Sequence, residues 1–518
     1  MAAFSIAFVL CSAIKKPEQT TNKTDRIHFI LRVTLNNSEF EQKGTQKKGE
    51  KPTFFFFDYE TWGVSPAKDR PCQFAGVRTD ADFNIIEEPL VIYCQPPHDY
   101  LPAPEAALVT GITPQVAIQK GLPEPKFISK IYDALSCPNT TSVGYNNIRF
   151  DDEVTRYTCY RNFLDPYAWA WKNGNSRWDM LDVMRACYAL RPDGIQWPEN
   201  EDGFISFKLE HLSVANGIEH SNAHDAMADV IATIEIAKKV KSAQPKLLNY
   251  FFENRQKRKL NTLVDIVNLT PLVHVSGMFG RECQYTSWVV PLAWHPGNSN
   301  AVIAVDLAKS PELLISMTSE ELRKRLYTKK EELSDSELPV PIKLIHLNKC
   351  PILAPAKTLT AENAQQIGIN RQQCLENLAL IRQHPEIREK VTEIFSENNE
   401  FPTKDIDEQL YDGFFSDTDK AAMDIIRETH PDALGSLNLT FEDARIEPLL
   451  FRYRARNYPW TLTLQEQQKW QSHCQNYFEG HIHNYMNNLE NLVTQYENQP
   501  DKLNVLKSVY RYVLNLTD

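Results

Sequence analysis

Phe54-Phe55-Phe56-Phe57-Asp58-Tyr59-Glu60-Thr61 is the stretch on which the reading of this chain turns. The short apolar run into Asp58 reads as a buried strand. Side chains alternate along a strand, so Asp58 and Glu60 project from one face. Two carboxylates so close repel, and each raises the other's pKa unless a cation lies between them. Mg²⁺ and Mn²⁺ favour oxygen ligands. Two such ions about 3.5–4 Å apart stabilise both the attacking and the leaving oxygen of a phosphoryl displacement.

Two further segments carry matching chemistry. In Asn147-Ile148-Arg149-Phe150-Asp151, Asn147 and Asp151 are four apart and are expected on one face of a helical turn. Asp152 is the rival to Asp151, which is preferred because it directly follows the anchoring Phe150. In His224-Asp225-Ala226-Met227-Ala228-Asp229, the apolar residues Met227, Val230, Ile231, Ile234, Ala237 and Val240 recur at helical spacing. This predicts a helix over 223–240, capped by Ser221 or Asn222. His224 and Asp229 are about 140° apart around a helix, so His224 is expected in the preceding loop or first turn, leaning over the site. Histidine titrates near neutrality and suits a general base that takes a proton from the attacking water.

Four acids and a histidine in this order resemble the DEDDh 3′→5′ exonucleases. Val109-Thr110-Gly111-Ile112-Thr113 is similar to that family's nucleotide-proximal loop. Within the family, the chain looks most like the bacterial exodeoxyribonuclease I branch. That likeness rests on Asp69-Arg70-Pro71-Cys72-Gln73-Phe74-Ala75, Gly144-Tyr145-Asn146-Asn147, Asp165-Pro166-Tyr167-Ala168-Trp169, Ser221-Asn222-Ala223-His224-Asp225-Ala226, Ser276-Gly277-Met278-Phe279-Gly280 and Tyr453-Arg454-Ala455-Arg456-Asn457, and it covers roughly 53–518. The resemblance implies catalytic roles for Asp58, Glu60, Asp151, Asp229 and His224. The four acids would hold two Mg²⁺ ions, with Mn²⁺ as a substitute. The implied reaction removes 5′-mononucleotides from the 3′ end of single-stranded DNA, in repair and recombination. Thr110, Tyr145 and Asn147 would lie against the substrate.

Length and composition set the frame. A chain of 518 residues is expected to hold two to four domains, at about 100–200 residues each. Its ten cysteines are scattered without metal-binding or disulfide spacing, which points to a reducing cytoplasm. No apolar stretch reaches the roughly 20 residues that span a bilayer, so no membrane span is expected. The net charge of −11 governs the long-range field and does not exclude a local basic groove.

Four segments are expected. Residues 1–50 carry +3 against −14 for the remainder and end in a polar run. They read as a disordered or mis-annotated extension, with a membrane anchor over Ala2–Ile14 as the rival. Residues 51–244 read as an α/β nuclease domain with strands at 54–58, 72–77 and 85–94 and a helix at 183–190. The resemblance implies a ribonuclease H-like fold with a mixed sheet. Residues 245–398 show strands at 287–294, 301–307 and 342–347, with helices at 319–327 and 371–383. By resemblance they form an SH3-like β-barrel with a connecting helix. Residues 399–518 form a helical domain, with apolar stripes from Ile482 and from Leu503 separated by Gln499-Pro500-Asp501.

Basic and aromatic residues interleave in Arg452-Tyr453-Arg454-Ala455-Arg456-Asn457-Tyr458-Pro459-Trp460. This predicts phosphate contacts by Arg452, Arg454 and Arg456 and base stacking, which suit a single strand. The aromatic run from Tyr157 to Trp178 is expected mostly in the core. The Arg255–Lys259 charge run reads as a solvated helix face. The resemblance implies a monomer that also binds the acidic, Phe-ended tail of single-stranded-DNA-binding protein, through Arg191, Tyr250 and Arg382. Thr270 and Thr360 stand where the family has basic residues. The alternatives are an exoribonuclease or proofreading exonuclease and, in another class, a non-catalytic single-strand-binding scaffold.

Overall fold

The alternation in β1 (Thr53–Thr61) divides the nuclease unit into two cores. Phe54 and Phe56 pack with Phe83, Val230, Ile234 and Ala237, on the side of the Ala226–Ala243 helix. Phe55, Phe57 and Tyr59 pack with Phe74, Phe127 and Ile131, on the side of the Glu124–Leu135 helix. Asp58 and Glu60 therefore continue the Phe54/Phe56 face and look toward the Ala226–Ala243 helix.

β1 pairs with β2 (Pro71–Thr79), β3 (Leu90–Tyr93), β4 (Thr140–Gly144) and β5 (Ser176–Asp179) in a sheet of order β3-β2-β1-β4-β5. The β3-β2-β1 half is antiparallel, and β1-β4-β5 is parallel. This is the mixed sheet expected of the α/β unit. The computed structural model describes residues 51–220, 225–329, 332, 334, 338–396 and 404–517. The expectations for residues 1–50 and for His224 lie outside them.

Two local expectations are corrected. The strand expected over 85–94 is one isolated bridge, Thr79 to Ile85, followed by the four-residue β3. Between them Glu87 turns to Arg78, and Pro89 has no N–H for a ladder. The helix expected from 223 starts at Ala226. Its cap is Asp225, not Ser221 or Asn222, because Asp225 Oδ1 accepts the N–H groups of Met227 and Ala228.

The second unit is an antiparallel sheet of order β10-β6-β7-β8-β9. It comprises β6 (Leu272–Val275), β7 (Thr286–Trp294), β8 (Ala301–Asp306), β9 (Ile342–His346) and β10 (Ile352–Pro355). Pro291 is tolerated within β7 because the register shifts there. The helices Ser319–Tyr327 and Arg371–Gln383 begin at side-chain caps, Thr318 and Asn370.

The third unit is helical and closes with Leu464–Gln495 and Pro500–Thr517. It is joined to the first by shared cores. Leu101 packs with Phe478, Tyr512 and Val513, and Val509 joins Trp62, Tyr100 and Ile112. Tyr157, Tyr160 and Phe163 are buried against Leu410, Met423 and Tyr453, whereas Trp171 is exposed. No helix among the described residues is long and apolar enough to cross a membrane.

Candidate active site

The site forms where β1 runs past the end of β4. Their parallel pairing covers Thr53 to Phe56 only. Beyond it the chain turns at Gly144, whose missing side chain matters: a Cβ there would stand 2.6 Å from Asn147 Cβ and 3.0 Å from the Phe57 carbonyl oxygen. The turn is held from below by Asp179, the last residue of β5. Its carboxylate accepts the N–H groups of Asn146 at 2.9 Å and Ile148 at 3.3 Å. Burial, and then the neighbouring Asp182, push Asp179 up to about 7.

The turn delivers Asp151 to the first position of the Asp151–Arg161 helix. Asp151 Oδ1 accepts the Tyr59 N–H at 3.1 Å, a donor that β4 no longer occupies. Asp151 thus sits between the two acids of β1. Asp152 points elsewhere: it pairs with Arg177 at 2.6 Å and accepts from Asn147 Nδ2 at 3.2 Å. The expected meeting of Asn147 with Asp151 on one helical face is thereby corrected. Asn147 precedes the helix, is fully buried, and bonds Asp152.

From the other side the Ala226–Ala243 helix brings Asp229. Asp58, Glu60 and Asp229 offer oxygens that all lie within 4.8 Å of one another. Burial pushes Asp58 well above the usual carboxylate range, and Asp151, Glu60 and Asp229 push it further. Burial, then Asp229 and Asp151, drive Glu60 up to about 8. Asp151 is also raised, by burial and by Asp152, against the Tyr59 hydrogen bond. An all-oxygen, all-acid donor set with such mutual repulsion fits a hard divalent cation.

One residue of this site has no signal in the sequence. His220 Nε2 lies 2.5 Å from Asp229 Oδ1, and its side chain is 1% exposed. It orients Asp229 as an outer partner of a ligand carboxylate does. No periodic pattern reaches Gly217-Ile218-Glu219-His220, so only coordinates reveal it. Thr110 Oγ1 accepts the Ile112 N–H across Gly111. This places the 109–113 loop beside Trp62, which follows directly from β1.

Comparison with known proteins gives the site its family. Three family profiles match in order: Exonuclease over 55–237, Exonuclease I SH3-like domain over 255–397, and Exonuclease I C-terminal domain over 404–516. The chain is 57% identical over 465 residues to exodeoxyribonuclease I of Escherichia coli (strain K12), covering 89% of this chain and 98% of that one. The chain belongs to the exodeoxyribonuclease I family. The Haemophilus influenzae exodeoxyribonuclease I is 55% identical over 466 residues, covering 90% and 98%. Among solved structures, E. coli Exonuclease I in complex with a dA16 oligonucleotide superposes with TM-score 0.88 at 56% identity, covering 90% of this chain and all of the other. A zinc-ion-bound E. coli ExoI–ssDNA complex matches equally, with TM-score 0.88, 56% identity and 90% and 100% coverage. An SSB/Exonuclease I structure with an inhibitor matches with TM-score 0.86 at 54% identity, covering 90% and 100%.

The chain is accordingly an exonuclease, and the scaffold alternative is set aside. The structure places Arg452, Arg454 and Arg456 in ion pairs, not in an open groove. Arg456 pairs with Asp99 at 2.7 Å and Asp407 at 2.6 Å; Arg452 pairs with Asp405 at 2.5 Å. Arg454 pairs with Glu466 at 2.6 Å. Buried cations need such partners, and the acids lie from 12 residues away, for Glu466, to 357, for Asp99. Tyr145 is half-buried, with its hydroxyl donating to the Phe207 carbonyl.

Arg191, Tyr250 and Arg382 surround one stretch of the second unit. Tyr250 donates to the Leu353 carbonyl, Arg191 to that of Thr358, and Arg382 to those of Asn268 and Leu269. Ala356 bonds back to Pro271, which joins these segments. Thr270 turns to Asp265, and Thr360 caps the Ala361–Gln366 helix. Arg255 bonds Ser176, and Lys257 bonds Ser299 and Asn300, so part of the basic run binds the scaffold.

Proposed function

We propose that the chain removes 5′-mononucleotides from the 3′ end of single-stranded DNA at the Asp58–Glu60–Asp151–Asp229 centre. The observation that carries this reading is the convergence of three carboxylates, Asp58, Glu60 and Asp229, whose oxygens lie within 4.8 Å of one another. Two Mg²⁺ ions, replaceable by Mn²⁺, would stabilise the attacking and leaving oxygens when bound. Asp58, Glu60, Asp151 and Asp229 would hold them directly or through water, Asp151 while anchored to β1. His220 fixes Asp229. His224 takes the proton of the attacking water. Attack at phosphorus expels the 3′ oxygen of the neighbouring sugar, which leaves the phosphate on the released nucleotide. Thr110, Tyr145 and Asn147 shape the terminal-nucleotide pocket, Tyr145 and Asn147 through the turn they build. The work is that of a cytoplasmic monomer in repair and recombination.

The same reading includes docking of the acidic, Phe-ended tail of single-stranded-DNA-binding protein around Arg191, Tyr250 and Arg382. The SSB/Exonuclease I structure supports it by likeness, and the threonines at 270 and 360 predict a weaker contact than a fully basic pocket.

Digestion of single strands labelled at either end tests the reaction. With Mg²⁺, wild type should release labelled mononucleotide at once from a 3′-labelled strand and only at the end from a 5′-labelled one. EDTA or Asp58→Ala should abolish release. His224→Ala should slow it about 10²–10⁴-fold without loss of metal binding. Persistent cleavage in EDTA would contradict the metal assignment.

A further inference from the structure

Arg177, the second residue of β5, ties the metal-ligand turn to the second unit. Its Nη1 donates to Asp152 Oδ2 at 2.6 Å, and its Nη2 donates to the Asn348 carbonyl at 2.7 Å. Asn348 lies in the turn between β9 and β10. That turn reaches Arg177 a second time, through the Cys350 thiol, which donates to the Arg177 carbonyl at 3.2 Å. Burial pushes the thiol up to about 11, so it stays protonated and remains a donor. Cys350 takes φ 47°, a left-handed conformation that a residue with a side chain keeps only where its surroundings hold it.

On the nuclease side the contacts end beside the acid centre. The side chains of Arg177 and Asp152 are 8% and 0% exposed. Asp152 Oδ1 accepts Asn147 Nδ2, and the Asp152 N–H bonds the Asn147 carbonyl at 2.8 Å. Asp152 is thereby fixed away from the site, while Asp151 faces Tyr59 and the acids of β1. Two adjacent carboxylates point in different directions, and the group that draws one of them aside is the Arg177 guanidinium. A buried acid deprived of its cation is costly, and Asp152 would relieve that cost by turning toward the metals.

We propose that Arg177 is a positioning residue that selects Asp151 over Asp152 as the metal ligand and, through the Asn348 carbonyl, makes that selection depend on the SH3-like unit. The inference rests on the reading of Asp151 as a ligand. It gives the second unit a part in the chemistry that is separate from holding the strand. With the β9–β10 turn displaced, the nuclease unit keeps all four acids and loses the alignment of one. Arg177 acts through Asp152 and not on the reacting phosphate.

The test takes three measurements on the full chain: Mn²⁺ binding by calorimetry, kcat and KM on a 3′-labelled single strand, and strand binding in EDTA. Arg177→Met should weaken Mn²⁺ binding and lower kcat about 10–100-fold, the scale for losing the outer support of a ligand. KM and strand binding should not change. Adding Asp152→Asn to Arg177→Met removes the stranded charge and should recover most of the lost kcat and Mn²⁺ affinity, a non-additivity that marks residues acting as one unit. Cys350→Ala removes the second tie and should lower kcat and Mn²⁺ affinity in the same direction by less, with Cys350→Ser, which keeps a donor, restoring both. This pair serves if Arg177→Met does not fold.

Wild-type kcat and Mn²⁺ binding in the folded variants would overturn the proposal. So would a loss of strand binding that matches the loss of kcat, or a double variant in which the two losses add. Asp151→Asn with wild-type Mn²⁺ binding and cleavage would instead strike the reading of the metal centre, and the proposal would fall with it.

Discussion

Two clusters of buried acids in this molecule make opposite demands. At the active site, Asp58, Glu60 and Asp151 are raised by burial and by one another. At the contact between the first and third units, burial also works against Asp99 and Asp407. There Arg456 outweighs it, aided by His473 at Asp99 and by Arg70 at Asp407, and both acids are held well below the usual carboxylate range. The second cluster carries its counter-charges within the chain and is a structural clasp. Among the described residues the first has no lysine or arginine paired with Asp58, Glu60 or Asp151, and it is built to receive cations from solution. Burial alone does not separate a structural acid from a functional one; the sign of the surrounding charge does.

The largest expected effect lies in the clasp. Asp407→Ala leaves Arg70, Arg452 and Arg456 facing one another, and removing one partner of a buried pair costs about 3–5 kcal/mol. Thermal melts should show a large drop in Tm, or separate melting of the helical unit. Asp58→Asn should do the reverse in metal-free protein, raising Tm while abolishing cleavage. A destabilised Asp58→Asn in EDTA would break the contrast.

A second expectation concerns pH. Glu60 titrates at about 8 in the folded protein against an ordinary value of 4.5. Between these values the folded state holds a proton that the unfolded chain has released. Its contribution to metal-free stability is full below the lower value and lost as pH rises toward the higher. The clasp acids behave oppositely, with their contribution lost as pH falls below about 4. In EDTA, wild type should lose more stability than Glu60→Gln between pH 5 and pH 8. Equal losses would mean that Glu60 is not strained.

The smallest effect is expected at the N-terminus. Deleting residues 1–50 should change neither the Tm nor the cleavage rate, because none of the site residues belongs to that segment. A measurable fall in either would assign it a part in the fold or the site.

Much of this was legible in the sequence because the rules involved are local. A two-residue alternation dictates that Asp58 and Glu60 share a face, and the helical stripe from Met227 to Val240 turns Asp229 inward. The helices at 319–327 and 371–383 carry their own caps. The short strands β6 and β10 escaped because four residues hold no period. The arginines of 452–456 misled because local sequence shows cations and aromatics but not the acids that reach them. Asp99 lies 357 residues from Arg456. His220 was invisible for a related reason: it gains its meaning from Asp229, which only the fold brings to it.

The central claim is that the Asp58–Glu60–Asp151–Asp229 centre is an unfinished charge arrangement completed by divalent ions. Calorimetric titration of metal-free protein with Mn²⁺ at pH 7, in two buffers of different ionisation enthalpy, tests it most directly. Two ions should bind per chain, with release of protons that the raised carboxyls hold, and Asp58→Asn should bind fewer ions and release fewer protons. Binding without proton release, or equal binding by Asp58→Asn, would contradict the account.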